Sequence, residues 1–384
     1  MPPVRKAPTF RRSKRAVDPQ FQWAIDTELV GLTLELQPAQ DIVVSPQYTT
    51  ELHSWFLDQV RRIDAALSTR LHDGQSEKPF TVSSLRGDIH TQGRSLQCSK
   101  DQTYQWTITA LARPVVAWLE QWLQKPPETM QLRSGTFHIR QWTVSHPPTT
   151  YAQLRQAPLP EPPTITLTFT SPTSFRRQGN HLPLPMPANV FRSYLRRWND
   201  FSGQAVDQDD FLTWVETYVV ILRHHLQSTK VAAGKIGSVT GFTGSVQFGL
   251  SAKAKQEPAF IPQWLALGQL APYCGTGHKT TFGLGQTQRG WTEAATATVA
   301  TAVQDLLGQR TAALIDRFLA QRQRLGGDRA TKTAETWATI LARREMGESL
   351  QTISQDLEMP YETVKTYVKL ARRALATDVA TKGG

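Results

Sequence analysis

One pattern occurs twice in this chain and limits its fold more than any other feature. Leu32, Leu34 and Leu36 alternate as a half-buried strand requires. Leu52, Phe56, Val60, Ile63 and Leu67 then recur at helical spacing across Thr50–Leu71. Phe80–Leu85 and Tyr104–Leu111 read as strands, and Pro114 opens a helix through Trp118 and Trp122. Gly135–Ser145 alternates again, which completes a β-α-β-β-α-β unit, the ferredoxin-like (RRM-like) order. A Pro-rich bridge, Ala157–Pro163, follows. Beyond it the pattern restarts. Thr164–Thr170 is a strand, Pro187–Trp198 a helix, and Asp209-Asp210 mark a further helix start. Tyr218–Val231 and Gly241–Leu250 read as paired strands, Pro258–Leu270 as a helix, and Phe282 onward as a returning strand.

After Trp291, Ala, Thr, Gln, Leu and Arg dominate, and the pattern turns helical. Ala334–Glu345, Leu350–Leu357 (capped by Ser349) and Tyr361–Leu375 are three helices, the last two separated by Glu358-Met359-Pro360. A short helix, a tight turn and a longer helix form a helix-turn-helix-like pattern. The expected fold is therefore α+β: two tandem ferredoxin-like domains followed by an all-α domain. Its expected divisions are a basic arm (1–20), a first unit (21–156), a linker (157–163), a second unit (164–292) and the helical tail (293–384).

A net charge of +11 points to a polyanionic partner, because neutralising phosphates releases counterions. The basic start, with Arg11, Arg12, Lys14 and Arg15, lacks the apolar segment of a secretory signal and reads as a solvated arm. No apolar run approaches the roughly 20 residues that span a bilayer. Cys98 and Cys274 stand far apart without metal spacing, which fits a reducing cytoplasm and no zinc site. His224-His225 sit in a strand pattern and face opposite sides, while His138 and His146 are single residues. No metal or other cofactor is expected.

The segment CGTGHKTTFGLG carries the most specific signal. Gly275, Gly277, Gly283 and Gly285 frame His278, Lys279 and Thr280. His278 precedes the lysine where a Walker loop needs glycine, and Thr280 stands where a dinucleotide fingerprint needs its third glycine. Glycine lets a backbone approach a phosphate closely and present its N–H groups, and the lysine adds a point charge. Arg192 and Arg196 share one face of a helix in FRSYLRRWN, and Arg176-Arg177 stand in SFRRQGN. All four are candidates for an electrostatic cradle.

This Gly-rich segment resembles the C-terminal signature of the CRISPR-associated endoribonucleases that cut precursor CRISPR RNA, members of the RAMP superfamily. TSPTSFRRQGNHLPLPMPANVFRSYLRRWN, GFTGSVQF and LHSWFLDQVRRIDAALSTRLHDGQSEKPFTVSSL agree with it, in the family's order, across nearly all of residues 20–290. The tail has no counterpart in the typical member. The resemblance implies a metal-independent cleavage in which the ribose 2′-hydroxyl attacks the scissile phosphate and leaves a cyclic phosphate. It also implies CRISPR repeat RNA as substrate and other CRISPR effector subunits as further partners. Its LHxx…K-P/L-F-T pattern falls on Leu71-His72 and on Lys78 ahead of Phe80-Thr81. That assigns His72 to acid–base work and Lys78 to charge stabilisation. Some members carry a tyrosine one helical stretch earlier, and the aligned position here is Leu57, which looks like core beside Trp55 and Phe56. His53 or Tyr48 could substitute, but only the fold can bring His53 to His72.

In the tail, Lys365, Lys369 and Arg372 follow at spacings of four and three, so they share a face. Val364, Val368 and Ala371 form an opposite stripe that can pack on Ile353 and Leu357. Such a helix is suited to nucleic acid, DNA included. Two rivals stand beside the nuclease: a catalytically silent subunit that binds CRISPR RNA, and a DNA-binding regulator acting through the tail. Both ferredoxin-like patterns are complete before Glu293, so the tail reads as a separable module.

Overall fold

The alternation at Leu32, Leu34 and Leu36 builds the central strand of a sheet in the computed structural model. All three side chains are fully buried. The structure describes residues 21–292 except 46, 74–76, 93–94, 159, 178–179 and 233–237, together with 299–320 and 328–382. The basic arm at 1–20 lies outside the described residues.

The first unit runs β1 (Leu29–Pro38), β2 (Ile42–Val44), α1 (Tyr48–Ile63), α2 (Ala65–Asp73), β3 (Phe80–Val82), β4 (His90–Gln92), β5 (Ser95–Cys98), β6 (Tyr104–Ala110), α3 (Arg113–Gln124), β7 (Thr129–Leu132) and β8 (Gly135–Thr149). Its main sheet has the order β3-β6-β1-β8-β7, entirely antiparallel. The four strands of the expected unit are β1, β3, β6 and β8, and they pair as a ferredoxin-like fold requires. The helix expected over Thr50–Leu71 is two helices. Asp64 leaves the helical conformation, and its carboxylate accepts from Leu67 N–H at 2.8 Å to cap α2.

α4 (Tyr151–Gln156) bridges to the second unit. That unit runs β9 (Thr164–Thr173), β10 (Phe175–Arg177), β11 (Asn180–Leu182), α5 (Pro187–Phe201), α6 (Gln208–Tyr218), β12 (Val219–Ala232), β13 (Ser238–Leu250), α7 (Ile261–Cys274) and β14 (Thr287–Arg289). The sheet order β12-β13-β9-β14 repeats the ferredoxin-like topology. Tyr151 and Leu154 of α4 pack in this second core, with Tyr151 edge-on to Trp198, although α4 precedes the expected linker. Phe282 does not begin a strand. It closes a single 3-10 turn, Thr280–Phe282, flanked by left-handed Lys279 and Gly283, and the strand starts five residues later.

The tail forms α8 (Val299–Ala320), α9 (Asp328–Glu345), α10 (Leu350–Leu357) and α11 (Tyr361–Lys382). Ser349 caps α10 by accepting from Thr352 N–H at 3.1 Å, and left-handed Glu358 makes the turn. Ile353 and Leu357 pack on Val364 and Val368, as their stripe predicts. The tail is not a separate module, however. Leu307, Leu314, Phe318, Ala338, Leu341 and Met346 belong to the same buried cluster as the first unit's sheet. Gly308 lies so close to Lys230 and Val231 of β12 that a Cβ there would meet backbone at 2.6 Å. The apolar stripes of the tail gave no sign of this, because an apolar stripe does not say which surface covers it.

Phe318 is buried and edge-on to Trp337. Phe318→Ala should destabilise the protein by about 3–5 kcal/mol, with the first unit and tail unfolding in one urea transition. Two separated transitions would show the tail to be independent.

Candidate active site

His53 lies on α1, and Phe282 of the 3-10 turn stacks on it at 4.3 Å. Its Nδ1 is 2.9 Å from the carbonyl oxygen of Thr281, an acceptor, so Nδ1 carries the proton and donates. Nε2 is then left as an acceptor. Burial pushes the His53 pKa down to about 4; the Thr281 bond acts against this, and nearby His72 and Lys78 lower it further. His72 stands exposed in the last turn of α2. Lys78 Nζ donates to the His72 carbonyl at 3.3 Å, which ties the lysine to the end of that helix. The fold thus gathers His53, His72 and Lys78, which the chain spreads over 26 positions.

His53 and His72 line a cleft of about 540 Å³ together with Leu57, Asp58, Arg133 and Phe282. Leu57 is half-buried in this wall rather than in the core interior. Tyr48 is fully buried, and its hydroxyl accepts from Leu85 N–H, so it does not reach the cleft. Gln355, Asp356 and Glu358 of the tail also line the cleft, and Asp356 pairs with Arg133. Among the described residues, no group of three or more His, Cys, Asp or Glu side chains is placed to hold a metal ion.

The Gly-rich loop is a joint between the units. Its four glycines are buried with positive φ, and what each approaches closely is this chain's own structure. A Cβ on Gly277 would lie 2.2 Å from the Ser174 carbonyl, one on Gly285 2.0 Å from that of Thr276, and one on Gly275 2.9 Å from that of Gly285. Gly283 abuts Ser84 and Thr49 of the first unit. His278 Nδ1 donates to Ser174 O at 2.9 Å and its ring stacks on His181, while burial pushes its pKa down to about 4. Lys279, φ 60°, has its pKa pushed down to about 8 by burial and by Arg176, with Glu335 of α9 acting in the opposite sense.

Arg192 and Arg196 are exposed on α5, and Arg196 pairs with Glu77 at 2.5 Å. Arg176 is exposed in β10 opposite His181, and Arg177 follows it in the same strand. Sequence reasoning missed the role of their neighbour Arg197. Only 3% exposed, it donates to Gly277 O at 2.8 Å and to Ser193 Oγ at 2.8 Å, and pairs with Glu77 at 3.2 Å. A buried arginine among Tyr194 and Trp198 on an apolar stripe was the available signal.

Two family models match the chain. One is that of the CRISPR-associated endoribonuclease Cas6, over residues 167–287, and the other the CRISPR Cas6 N-terminal domain, over 30–132. Together they cover more than half of the chain. The chain belongs to the Cas6 family. The curated CRISPR-associated endoribonuclease Cas6 of Streptococcus thermophilus is 22% identical over 250 residues, 65% of this chain and 91% of that protein. A solved Cas6 product complex is 23% identical with a TM-score of 0.56, over 68% of this chain and all of the other. A Cas6 substrate mimic complex is 24% identical with a TM-score of 0.51, over 68% of this chain and 99% of the other. Thermus thermophilus Cas6 is 22% identical with a TM-score of 0.50, over 69% and 99%. These likenesses establish the Cas6 fold. They use up the relatives' length and leave about a third of this chain outside.

Two predictions follow from this geometry. Gly277→Ala combines left-handed strain with the Ser174 clash and should cost about 2–5 kcal/mol. Gly203→Ala, at φ 66° with nothing within 4 Å, should cost only about 1–2 kcal/mol. Equal losses in chemical denaturation would refute the packing account. For pH, the unfolded histidines protonate near 6.5, whereas folded His53 and His278 resist to about 4. Between those values the unfolded chain binds more protons, so stability rises with pH. The melting temperature should fall from pH 7 to pH 5, and an unchanged value would contradict the buried neutral rings.

Proposed function

We propose that this Cas6-family chain cleaves CRISPR repeat RNA in the His53–His72 cleft, without a metal ion, to release guide RNA. The observation that carries this is that His53 and His72, from two separate helices, line one cleft, with Lys78 tied to the His72 carbonyl beside them. Family membership among endoribonucleases supports an RNA substrate, as do solved product and substrate mimic complexes of Cas6 relatives.

RNA carries its own nucleophile, so the protein must move two protons and stabilise one charge. In this scheme the 2′-hydroxyl gives up its proton as its oxygen bonds to the adjacent phosphorus. The bond from phosphorus to the 5′-oxygen breaks, and that oxygen takes a proton. The products are a 2′,3′-cyclic phosphate and a 5′-hydroxyl. His72, exposed at the cleft, is the acid–base residue. His53 presents a neutral Nε2 to the same space, in place of the family tyrosine missing at Leu57. Lys78 offsets the charge that develops on the phosphorane. Arg176, Arg177, Lys279 and the α5 face of Arg192 and Arg196 bind flanking phosphates; at Arg196 the phosphate displaces Glu77. Gly275, Gly277, Gly283 and Gly285, with His278 and Thr280, hold Lys279 in place for that contact.

His72→Ala should lower the single-turnover rate by about two to four orders of magnitude, the range for a lost general acid or base, with little change in repeat affinity. Wild-type cleavage should persist in excess EDTA and leave a cyclic phosphate. A near-wild-type rate in the variant removes His72 from the chemistry; activity lost to chelation and restored by magnesium removes the scheme. Leu57 in the cleft wall favours one other reading, a silent RNA-holding subunit, which a background wild-type rate with intact binding would support.

A further inference from the structure

The tail contributes to the cleft as well as to the core. Gln355, Asp356 and Glu358, from the end of α10 and its turn, line the same cleft as His53 and His72. Asp356 fixes that wall by pairing with Arg133 of the β7–β8 turn and with fully buried Arg343 of α9, the latter at 2.5 Å. Elsewhere along the site, Glu335 of α9 acts electrostatically on Lys279 of the Gly-rich loop. The tail is therefore built into the cleft, with one of its carboxylates near enough to the loop to act on Lys279.

α11 begins three residues after Glu358, so its first turn follows directly on the residue that ends the tail's wall of the cleft. Val364, Val368 and Ala371 are buried in the tail's packing. Lys365, Lys369 and Arg372 are exposed on the other side, with Lys365 also 3.5 Å from Glu362. At 1.5 Å of rise per residue these cations span about 10 Å of helix axis, running away from that first turn. A polyanion that left the cleft along α11 would meet them in sequence. A DNA duplex read by the first turn of α11, as recognition helices read it, would lie across the cleft mouth.

We propose that the helix-turn-helix-like tail is part of the RNA site: its α10–α11 turn walls the cleft, and the basic face of α11 binds the backbone of the same RNA. This rests on the assignment of the cleft to repeat RNA.

The test uses the full chain, fluorescent repeat RNA with its flanks, and duplex DNA of the same sequence, with binding read by anisotropy over a series of salt concentrations. The variant Lys365→Glu/Lys369→Glu/Arg372→Glu changes only exposed residues. A control, Arg155→Glu/Lys253→Glu/Lys255→Glu, makes the same change in net charge at exposed positions elsewhere. The tail variant should bind RNA at least tenfold more weakly. The slope of log Kd against log salt should fall by about two to three, since each phosphate contact contributes roughly 0.7–0.9. The control should shift Kd less than threefold. An unchanged Kd and slope in the tail variant, an equal loss in the control, or a loss confined to duplex DNA would each overturn the proposal. Binding is read apart from cleavage. A wild-type chain that binds RNA without cutting it sinks the cleavage reading alone, and one that binds no RNA sinks both.

Discussion

The arrangement of the candidate site depends on one buried arginine. Arg197 reaches from α5 to the carbonyl of Gly277 in the Gly-rich loop and to the carboxylate of Glu77, next to Lys78 in the first unit. A guanidinium taken out of water is tolerable only when its donors are satisfied and its charge is paired. Here Ser193, Gly277 and Thr280 accept its hydrogen bonds, and Glu77 supplies the charge. The same contacts set the loop against the first unit. With the loop so placed, the Thr281 carbonyl accepts a hydrogen bond from His53 Nδ1 and Phe282 stacks on the ring. Loss of the arginine would leave the loop carbonyl without its partner and Glu77 with Arg196 alone.

The two units meet through more than this hub. Thr109 Oγ donates to the Tyr273 carbonyl at 2.5 Å, the Tyr273 hydroxyl donates to Pro147 O at 2.8 Å, and Gln286 reaches Val82 O. The cleft is a product of that docking, because its walls come from α1, α2, the second unit's 3-10 turn and the tail. No single unit contains it. The tail adds Asp356 and Glu358 to a lining that already holds His53, His72 and Asp58.

Much of the fold was legible in the chain. Period-two and period-3.6 patterns located the strands and helices of both ferredoxin-like units, and Ser349 with Glu358-Met359-Pro360 marked the helix-turn-helix-like turn. The errors have local causes. Asp64 broke an apolar stripe that looked continuous, because its side chain caps the next helix more favourably than its backbone continues the last. Lys279 took a left-handed conformation that only its surroundings enforce, which turned an expected strand at Phe282 into a tight turn. His72 and Lys78 were readable from a motif. His53 was one of two alternatives, and the structure shows its ring under the turn at Thr281 and Phe282 and in the same cleft as His72.

The two repeated units, the basic balance, the glycine-rich loop and the apolar stripes of the tail can all be read along the chain. These follow from local sterics and periodicity, which act over a few neighbouring residues. What those glycines approach, which arginine of FRSYLRRWN is buried, and where the tail packs emerge only once the chain is folded. Each of these is a contact between segments distant in the chain, and an apolar or charged face specifies the chemistry of its partner without specifying which partner it meets.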